Sequence, residues 1–147
     1  MLSMKLYISN IFTYFIIMLF SGCVEPPEYD DGLLENIPAI VNDDDYFSLS
    51  LYAENHTQNY NWNLDFSSNG EDTLFTSLII KDYLGSTADS SSLILYNSNE
   101  AEIFNILLNG ETTSISEISM EYIGNPHRLE LISNKLNCSL ELQLIRQ

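Results

Sequence analysis

The sequence predicts an all-β domain, an antiparallel β-sandwich of about eight strands over residues 46–147. Three observations lead to this fold class. Apolar and polar residues alternate through most of this range, turn-forming residues recur every ten to fifteen positions, and no stretch of useful length has a helical period. Alternation places one face of each strand on a core, which two packed sheets provide. A small barrel is the alternative arrangement.

The strands follow from the alternation, which is clearest in residues 59–66. There Tyr60, Trp62, Leu64 and Phe66 occupy one face, and the intervening Asn59, Asn61, Asn63 and Asp65 occupy the other. The predicted strands are residues 47–53, 59–66, 74–82, 92–96, 103–108, 115–122, 128–133 and 137–145. Residues 33–41 hold five further apolar side chains and are expected to dock as a first edge strand.

Turn chemistry separates these strands. Gly, Asn, Asp, Ser and Pro are concentrated at most of the breaks, as in residues 69–72, 97–100 and 124–126. Asn109-Gly110 lies between two apolar runs and predicts a short hairpin joining the strands on either side. The order of strands and Gly turns resembles the jelly-roll modules attached to secreted bacterial enzymes, and this resemblance implies a jelly-roll-like sandwich.

The first 22 residues predict a cleaved signal peptide. Lys5 and the terminal amine form a weakly positive start, and residues 6–20 are mostly apolar. A membrane-spanning helix needs about 20 apolar residues, and this run is shorter and interrupted by Ser9, Asn10 and Thr13. A permanent transmembrane anchor is therefore the weaker alternative. Met4-Lys5 also resembles a signal-peptide opening, so that either Met1 or Met4 is the start.

The end of this segment, Leu19-Phe20-Ser21-Gly22-Cys23, resembles the lipobox of bacterial lipoproteins. In that family the cysteine thiol accepts diacylglycerol, and small residues before it admit the backbone to the lipoprotein signal peptidase. The resemblance implies that Leu19, Phe20, Ser21 and Gly22 are recognised by this peptidase and that Cys23 is the acylated first residue of the mature chain. Phe20 departs from the usual aliphatic residue. Ordinary secretion after cleavage near Ser21 is the alternative.

Residues 23–45 predict an acidic tether. Pro26 and Pro27 favour an extended chain, and like charges keep it extended by repulsion. Val24 is not the aspartate that, in lipoproteins of double-membraned bacteria, tends to retain proteins in the inner membrane. The resemblance thus favours the outer membrane of a bacterial envelope, with the periplasmic and surface faces both open.

The charge balance argues against nucleic acid as a partner. After residue 23 there are four basic side chains against 21 acidic ones, a formal charge of −17. Nucleic-acid binding depends on Lys and Arg neutralising phosphates, and anionic headgroups are poor partners for the same reason. The simplest interpretation of the acidity is a solvated, self-repelling surface.

The remaining chemistry-bearing residues predict no cofactor and no metal. Asn42-Asp43-Asp44-Asp45 offers oxygens for Ca²⁺, but neighbouring side chains of an extended chain point in opposite directions. His56 and His127 lack zinc spacing, and Cys138 alternates with leucines as a small core hydrophobe. Tyr60 and Trp62 would suit stacking on a sugar, although their phase favours the core.

Two functions fit these residues. The first is a membrane-anchored envelope lipoprotein whose small β-sandwich acts as a binding or accessory module, held by the lipid on Cys23 and contacting an envelope protein or a glycan. No catalytic motif is found, so a non-enzymatic role is predicted. The alternative is a small envelope enzyme that acts on glycans with carboxylates as general acid and base.

Overall fold

A computed structural model describes residues 32–86 and 90–147 and confirms the all-β sandwich. Within these residues the chain forms nine strands in two antiparallel sheets and one short helix. The elements are β1 (Ala39–Asn42), β2 (Tyr46–His56), β3 (Tyr60–Asn63), β4 (Thr73–Lys81), β5 (Ser92–Asn97), β6 (Glu102–Leu107), β7 (Thr112–Ser119), α1 (Met120–Ile123), β8 (Pro126–Ile132) and β9 (Leu136–Arg146).

The larger sheet has five strands in the order β1-β2-β9-β4-β7. Its centre is β9, in which Leu and Cys residues alternate with polar ones, so that every second side chain is buried. Leu142 lies directly opposite Leu49 on β2 and Leu78 on β4, and all three are buried. The alternation in the sequence is therefore what places one face of this sheet on the core.

The smaller sheet has four strands in the order β3-β8-β5-β6. Leu93 and Leu95 on β5 and Leu129 and Leu131 on β8 are fully buried and face the larger sheet. Together the two sheets enclose one hydrophobic core, to which Phe66 and Leu64 also contribute from the segment after β3. These residues are the ones that the alternation in 59–66 assigned to the inside, although the strand itself ends at Asn63.

The hairpin predicted at Asn109-Gly110 is wrong. β6 pairs with β5 in the smaller sheet and β7 pairs with β4 in the larger one, so the chain crosses between sheets here. Neither Asn109 nor Gly110 has the positive φ that a two-residue hairpin turn requires. Leu108 is fully buried at the crossing, and burying this side chain in the core competes with local turn chemistry.

The strand predicted at residues 115–122 also ends earlier than expected. Its last residues form α1, because the Ser119 hydroxyl accepts a hydrogen bond from the Glu121 N–H and caps a helical turn. Gly124, at a φ of 75°, ends that turn and donates its N–H to the Met120 carbonyl. Met120 is buried, so the short helix covers one end of the core.

Residues 39–42, inside the range predicted as tether, form the edge strand β1. They pair with β2 from Ala39 opposite Ser50 to Asn42 opposite Phe47.

Among the described residues, no helix is long and apolar enough to span a membrane.

One side of the sandwich is held together by Asn42. Its amide nitrogen donates to the Asn63 carbonyl at 2.9 Å, and its amide oxygen accepts from the Asp65 N–H at 3.1 Å. These bonds place the edge strands β1 and β3 side by side, one from each sheet. The other two edge strands, β6 and β7, lie at the opposite ends of the two sheet orders.

Candidate functional site

The residues predicted for lipid attachment, Cys23, and for peptidase recognition, Leu19, Phe20, Ser21 and Gly22, lie outside the described residues. They stay predictions from the sequence. The described residues contain the other side chains for which the sequence suggested a role.

The acidic run at residues 42–45 serves the fold. Asn42 bridges the two sheets, the Asp43 carboxylate accepts the Asp44 N–H at 3.0 Å, and a carboxylate oxygen of Asp44 lies 4.0 Å from the Arg146 guanidinium. Across residues 32–86 and 90–147, no cluster of three or more His, Cys, Asp or Glu side chains is arranged to hold a metal ion.

Tyr60 and Trp62 stack on each other, with ring centroids 5.2 Å apart and ring planes 12° apart. His56, at the end of β2, stacks on Tyr60 at 5.6 Å. Both aromatic side chains are partly buried and pack against the core, as their phase in the strand predicted. His56 is only 4 % exposed, and burial lowers its pKa below the usual value.

Cys138 is buried in the core, as the alternation of β9 predicted. Burial raises the pKa of its thiol to about 11, which suppresses the nucleophilic thiolate. A surface pocket of about 190 Å³ lies beside it, lined among others by Glu54, Asp82 and Leu84. This volume is below the roughly 300 Å³ at which pockets for small-molecule ligands begin.

Arg128 binds two carboxylates on the outer face of the smaller sheet. Its guanidinium lies 2.5 Å from Glu100, 3.3 Å from Glu130 and 3.9 Å from the centre of the Tyr96 ring. The hydrogen bond from Arg128 is the main cause that lowers the pKa of the Glu100 carboxyl. A general acid for glycan cleavage needs a raised pKa, so the ion pair with Arg128 does not suit Glu100 to that role.

The feature that stands out is strand β7, here called the β7 edge (Thr112–Ser119). It pairs with β4 without interruption, from Thr73 opposite Ser119 to Ile80 opposite Thr112. Its other side carries no neighbouring strand within residues 32–86 and 90–147. Among the described residues, no backbone hydrogen bond reaches these eight residues except through the β4 ladder. Every second backbone N–H and C=O of the β7 edge is thus available to another chain.

Both faces of the β7 edge are open. Ser114, Ser116 and Ile118 lie opposite buried β4 residues, so their side chains share the core face of the sheet, yet all three are exposed. Ile118 is 38 % exposed on this face, and Ile115 is 66 % exposed on the outer face. The four-stranded sheet therefore does not reach far enough to cover the fifth strand of the larger sheet.

The other three edges have features that discourage pairing. β1 and β3 are four residues long and are bridged by Asn42. β6 has an irregular register, since Leu95 pairs with Phe104 and the next residue, Tyr96, pairs with Glu102. Short edges, bulges and covering groups are common ways to protect a sheet from added strands. The β7 edge has eight residues in regular register, and it contains neither Lys nor Pro.

The sequence predicts a strand here but does not predict its position at an edge. The signal was available in residues 112–119, where Ser and Thr occupy five of eight positions and apolar residues follow no two-residue period. A strand between two neighbours with one buried face shows a strict apolar period. The weak period of this segment was therefore a sign of an uncovered strand.

No protein-family model matches the chain, and no curated protein matches it. Among solved structures, the fold is similar to one described as "Bacillus endospore appendages form a novel family of disulfide-linked pili". The two chains are 11 % identical with a TM-score of 0.42, over 75 % of this chain and 88 % of that chain. A likeness at this level says nothing about function.

Proposed function

We propose that this protein is a lipid-anchored lipoprotein of the bacterial envelope whose β-sandwich is a binding module for an envelope polypeptide. The observation that supports binding is the β7 edge, a long and regular edge strand with exposed apolar side chains on both faces. Exposed strands of this kind are templates on which another polypeptide pairs. A polypeptide suits this surface better than a glycan, because the free groups of β7 are backbone donors and acceptors in ladder spacing.

The anchoring half of the proposal is supported by the lipobox-like residues ending at Cys23 and by the acidic, proline-containing residues that follow. One acyl chain of myristoyl length binds a bilayer only marginally, at about 0.8 kcal/mol per buried methylene. Lipoproteins of this kind carry two or three chains, so attachment through Cys23 would be lasting. The outer membrane is the favoured location, because Val24 follows the cysteine.

Metabolic labelling tests the anchor. The full chain and its Cys23→Ala variant are expressed in a bacterium that is fed radiolabelled palmitate. We expect label on the unsubstituted protein alone, together with a mass for the mature chain that begins at Cys23. Label on both proteins, or on neither, would refute lipid attachment at this cysteine.

Retention on a column tests binding against catalysis. Residues 32–147 are immobilised and exposed to envelope extract and to a panel of bacterial glycans. The binding module predicts stoichiometric retention of a polypeptide with no change in the glycans. Release of a shortened glycan would favour the enzymatic alternative and overturn this part of the proposal.

A further inference from the structure

We infer that the β7 edge takes up an extended, basic segment of a partner polypeptide, which joins the larger sheet as its sixth strand. This inference rests on the proposed function and specifies the partner that the binding module recognises. It is carried by three observations: the unpaired backbone, the open core face, and the distribution of charge around the strand.

The backbone of β7 is prepared for pairing. Its register with β4 is uninterrupted over eight residues, and its outer edge has no backbone partner among the described residues. A strand added here would form a ladder as long as that between β4 and β7. Main-chain hydrogen bonds of this type supply affinity in strand addition, and side chains supply specificity.

The core face predicts apolar side chains in the partner. Ile118, Ser116 and Ser114 lie on this face at the margin of the core, beside Leu74 and Leu78 on β4. On the added strand, the residues opposite these three would lie over the uncovered margin, where apolar side chains gain most from leaving water. Every second residue of the partner is therefore expected to be apolar.

The charge around β7 predicts a basic partner. β7 contains no Lys or Arg, and its paired strand β4 carries one basic residue, Lys81, at its end. Glu117 lies on the outer face of β7, and the exposed Glu111 and Glu121 flank the strand. Opposite charges on facing strands stabilise a pair, and like charges destabilise it. Lys or Arg at the remaining alternate positions of the partner would meet this acidic edge.

The same charge disfavours a second copy of this chain as the occupant. Residues 32–147 contain 17 acidic and four basic side chains, so two copies would bring together two strongly negative surfaces. Complementary potentials accelerate association, whereas juxtaposed like charges suppress it. A heterologous basic strand meets the apolar and electrostatic requirements together.

A synthetic peptide tests this inference directly. The probe is a fluorescently labelled, N-acetylated ten-residue peptide in which Lys alternates with Val, and its binding to the full chain in detergent micelles is followed by fluorescence anisotropy. Two control peptides replace every Lys by Glu, or one central Val by Pro. We expect at least roughly tenfold weaker binding of both controls, since one lacks the charge and the other breaks the ladder.

Matched variants locate the site. Ser116→Lys places a charge on the core face of β7, and Glu117→Lys reverses a charge on its outer face. Asp65→Lys makes the same charge reversal beside β3, on the opposite side of the sandwich. The first two variants should weaken binding about three- to tenfold each, and Asp65→Lys should leave it within about twofold. All three positions are exposed, and thermal melts verify that each variant is folded.

Amide hydrogen exchange gives a second readout, in which the Lys–Val peptide should protect residues 112–119 and leave residues 60–65 unchanged.

Three results would each overturn the inference. The first is that the Pro-containing peptide binds as tightly as the Lys–Val peptide, and the second is that Asp65→Lys weakens binding as much as the β7 variants do. The third is that the protein forms a dimer which Ser116→Lys abolishes. The last result would assign the β7 edge to a second copy. If an envelope polypeptide is retained equally by the Ser116→Lys variant, the binding module stands and its assignment to the β7 edge fails.

Discussion

His56 is an unusual residue for the interior of a small domain. It is 4 % exposed, it stacks on Tyr60, and neither ring nitrogen has a hydrogen-bond partner among the described residues. An imidazole in this position is stable in its neutral form, because the charged form would lose hydration without gaining a partner. Burial accordingly lowers the pKa of His56.

The domain should therefore lose stability in mild acid through His56. As the pH falls below the ordinary value of 6.5, the unfolded chain binds a proton that the folded chain does not, so the free energy of unfolding decreases. The decrease ends once the pH is below the lowered pKa of the folded state. Urea denaturation at pH 7.5 and 5.5 measures this loss of stability. His56→Phe should reduce the loss, whereas the control His127→Gln, at an exposed position, should not reduce it. Identical pH dependence in wild type and His56→Phe would contradict the assignment.

Cys138 is expected to be chemically inert in the folded protein. Its side chain is buried, and its pKa of about 11 leaves little thiolate at pH 8. In a Cys23→Ala background it is the remaining thiol of the chain, so a chromogenic disulfide reagent reports on it alone. We expect no rapid reaction at pH 8 without denaturant and one equivalent in guanidinium chloride. Rapid reaction of the folded protein would refute a core position.

At the scale of elements, β9 holds the larger sheet together. It lies between β2 and β4, and its buried side chains meet those of both neighbours in register. We expect Leu142→Ala to reduce the free energy of unfolding by about 2–5 kcal/mol, because the site is enclosed on both sides and collapses poorly.

Leu107→Ala, at an edge-strand residue that is 58 % exposed, is the matched control. This substitution should change stability by no more than about 0.5 kcal/mol. Chemical denaturation gives both values. A loss of stability at Leu107 equal to that at Leu142 would mean that the Leu107 side chain is buried and that β6 is covered.

The strands were predictable from the sequence, because alternation records which face meets the core. Tyr60, Trp62, Leu64 and Phe66 were assigned to the inside correctly from their period alone. Which strands pair was not predictable. The Asn109-Gly110 turn favours a hairpin on local grounds, but burial of Leu108 and pairing of β6 and β7 in different sheets prevail over it. Local propensity cannot report interactions between distant segments.

The candidate site was less predictable than the fold. A free strand edge is a property of the whole topology, since β7 is exposed because it ends the larger sheet with β4 as its one neighbour among the described strands, and the smaller sheet has one strand fewer. In the sequence, residues 112–119 show only a weak apolar period. By contrast, the lipid attachment expected at Cys23 depends on a short local motif, which can be recognised in the sequence alone. Cys23 lies outside the described residues, so the fold does not test this expectation.

For the molecule as a whole, the excess of acidic residues should make stability dependent on salt. Folding brings the 17 acidic side chains of residues 32–147 closer together, and their mutual repulsion acts over a screening length of about 10 Å at 0.1 M salt. Raising NaCl from 10 mM to 300 mM should increase the Tm by a few degrees. Differential scanning calorimetry at both NaCl concentrations measures this change in Tm. The same measurement in equimolar tetramethylammonium chloride separates charge screening from specific Na⁺ binding. A Tm that falls or stays constant would show that repulsion is not significant.

The position of β1 determines how the domain bears mechanical load. The chain preceding the sandwich enters the larger sheet through β1 at one edge, while β7 lies at the other edge, with three strands between them. A pull between the N-terminal segment and a molecule held on β7 would therefore cross the sheet perpendicular to its strands, through every ladder in turn. The ladder between β1 and β2 is the shortest of these and would peel apart first, lengthening the N-terminal connection while β2, β9, β4 and β7 stay folded.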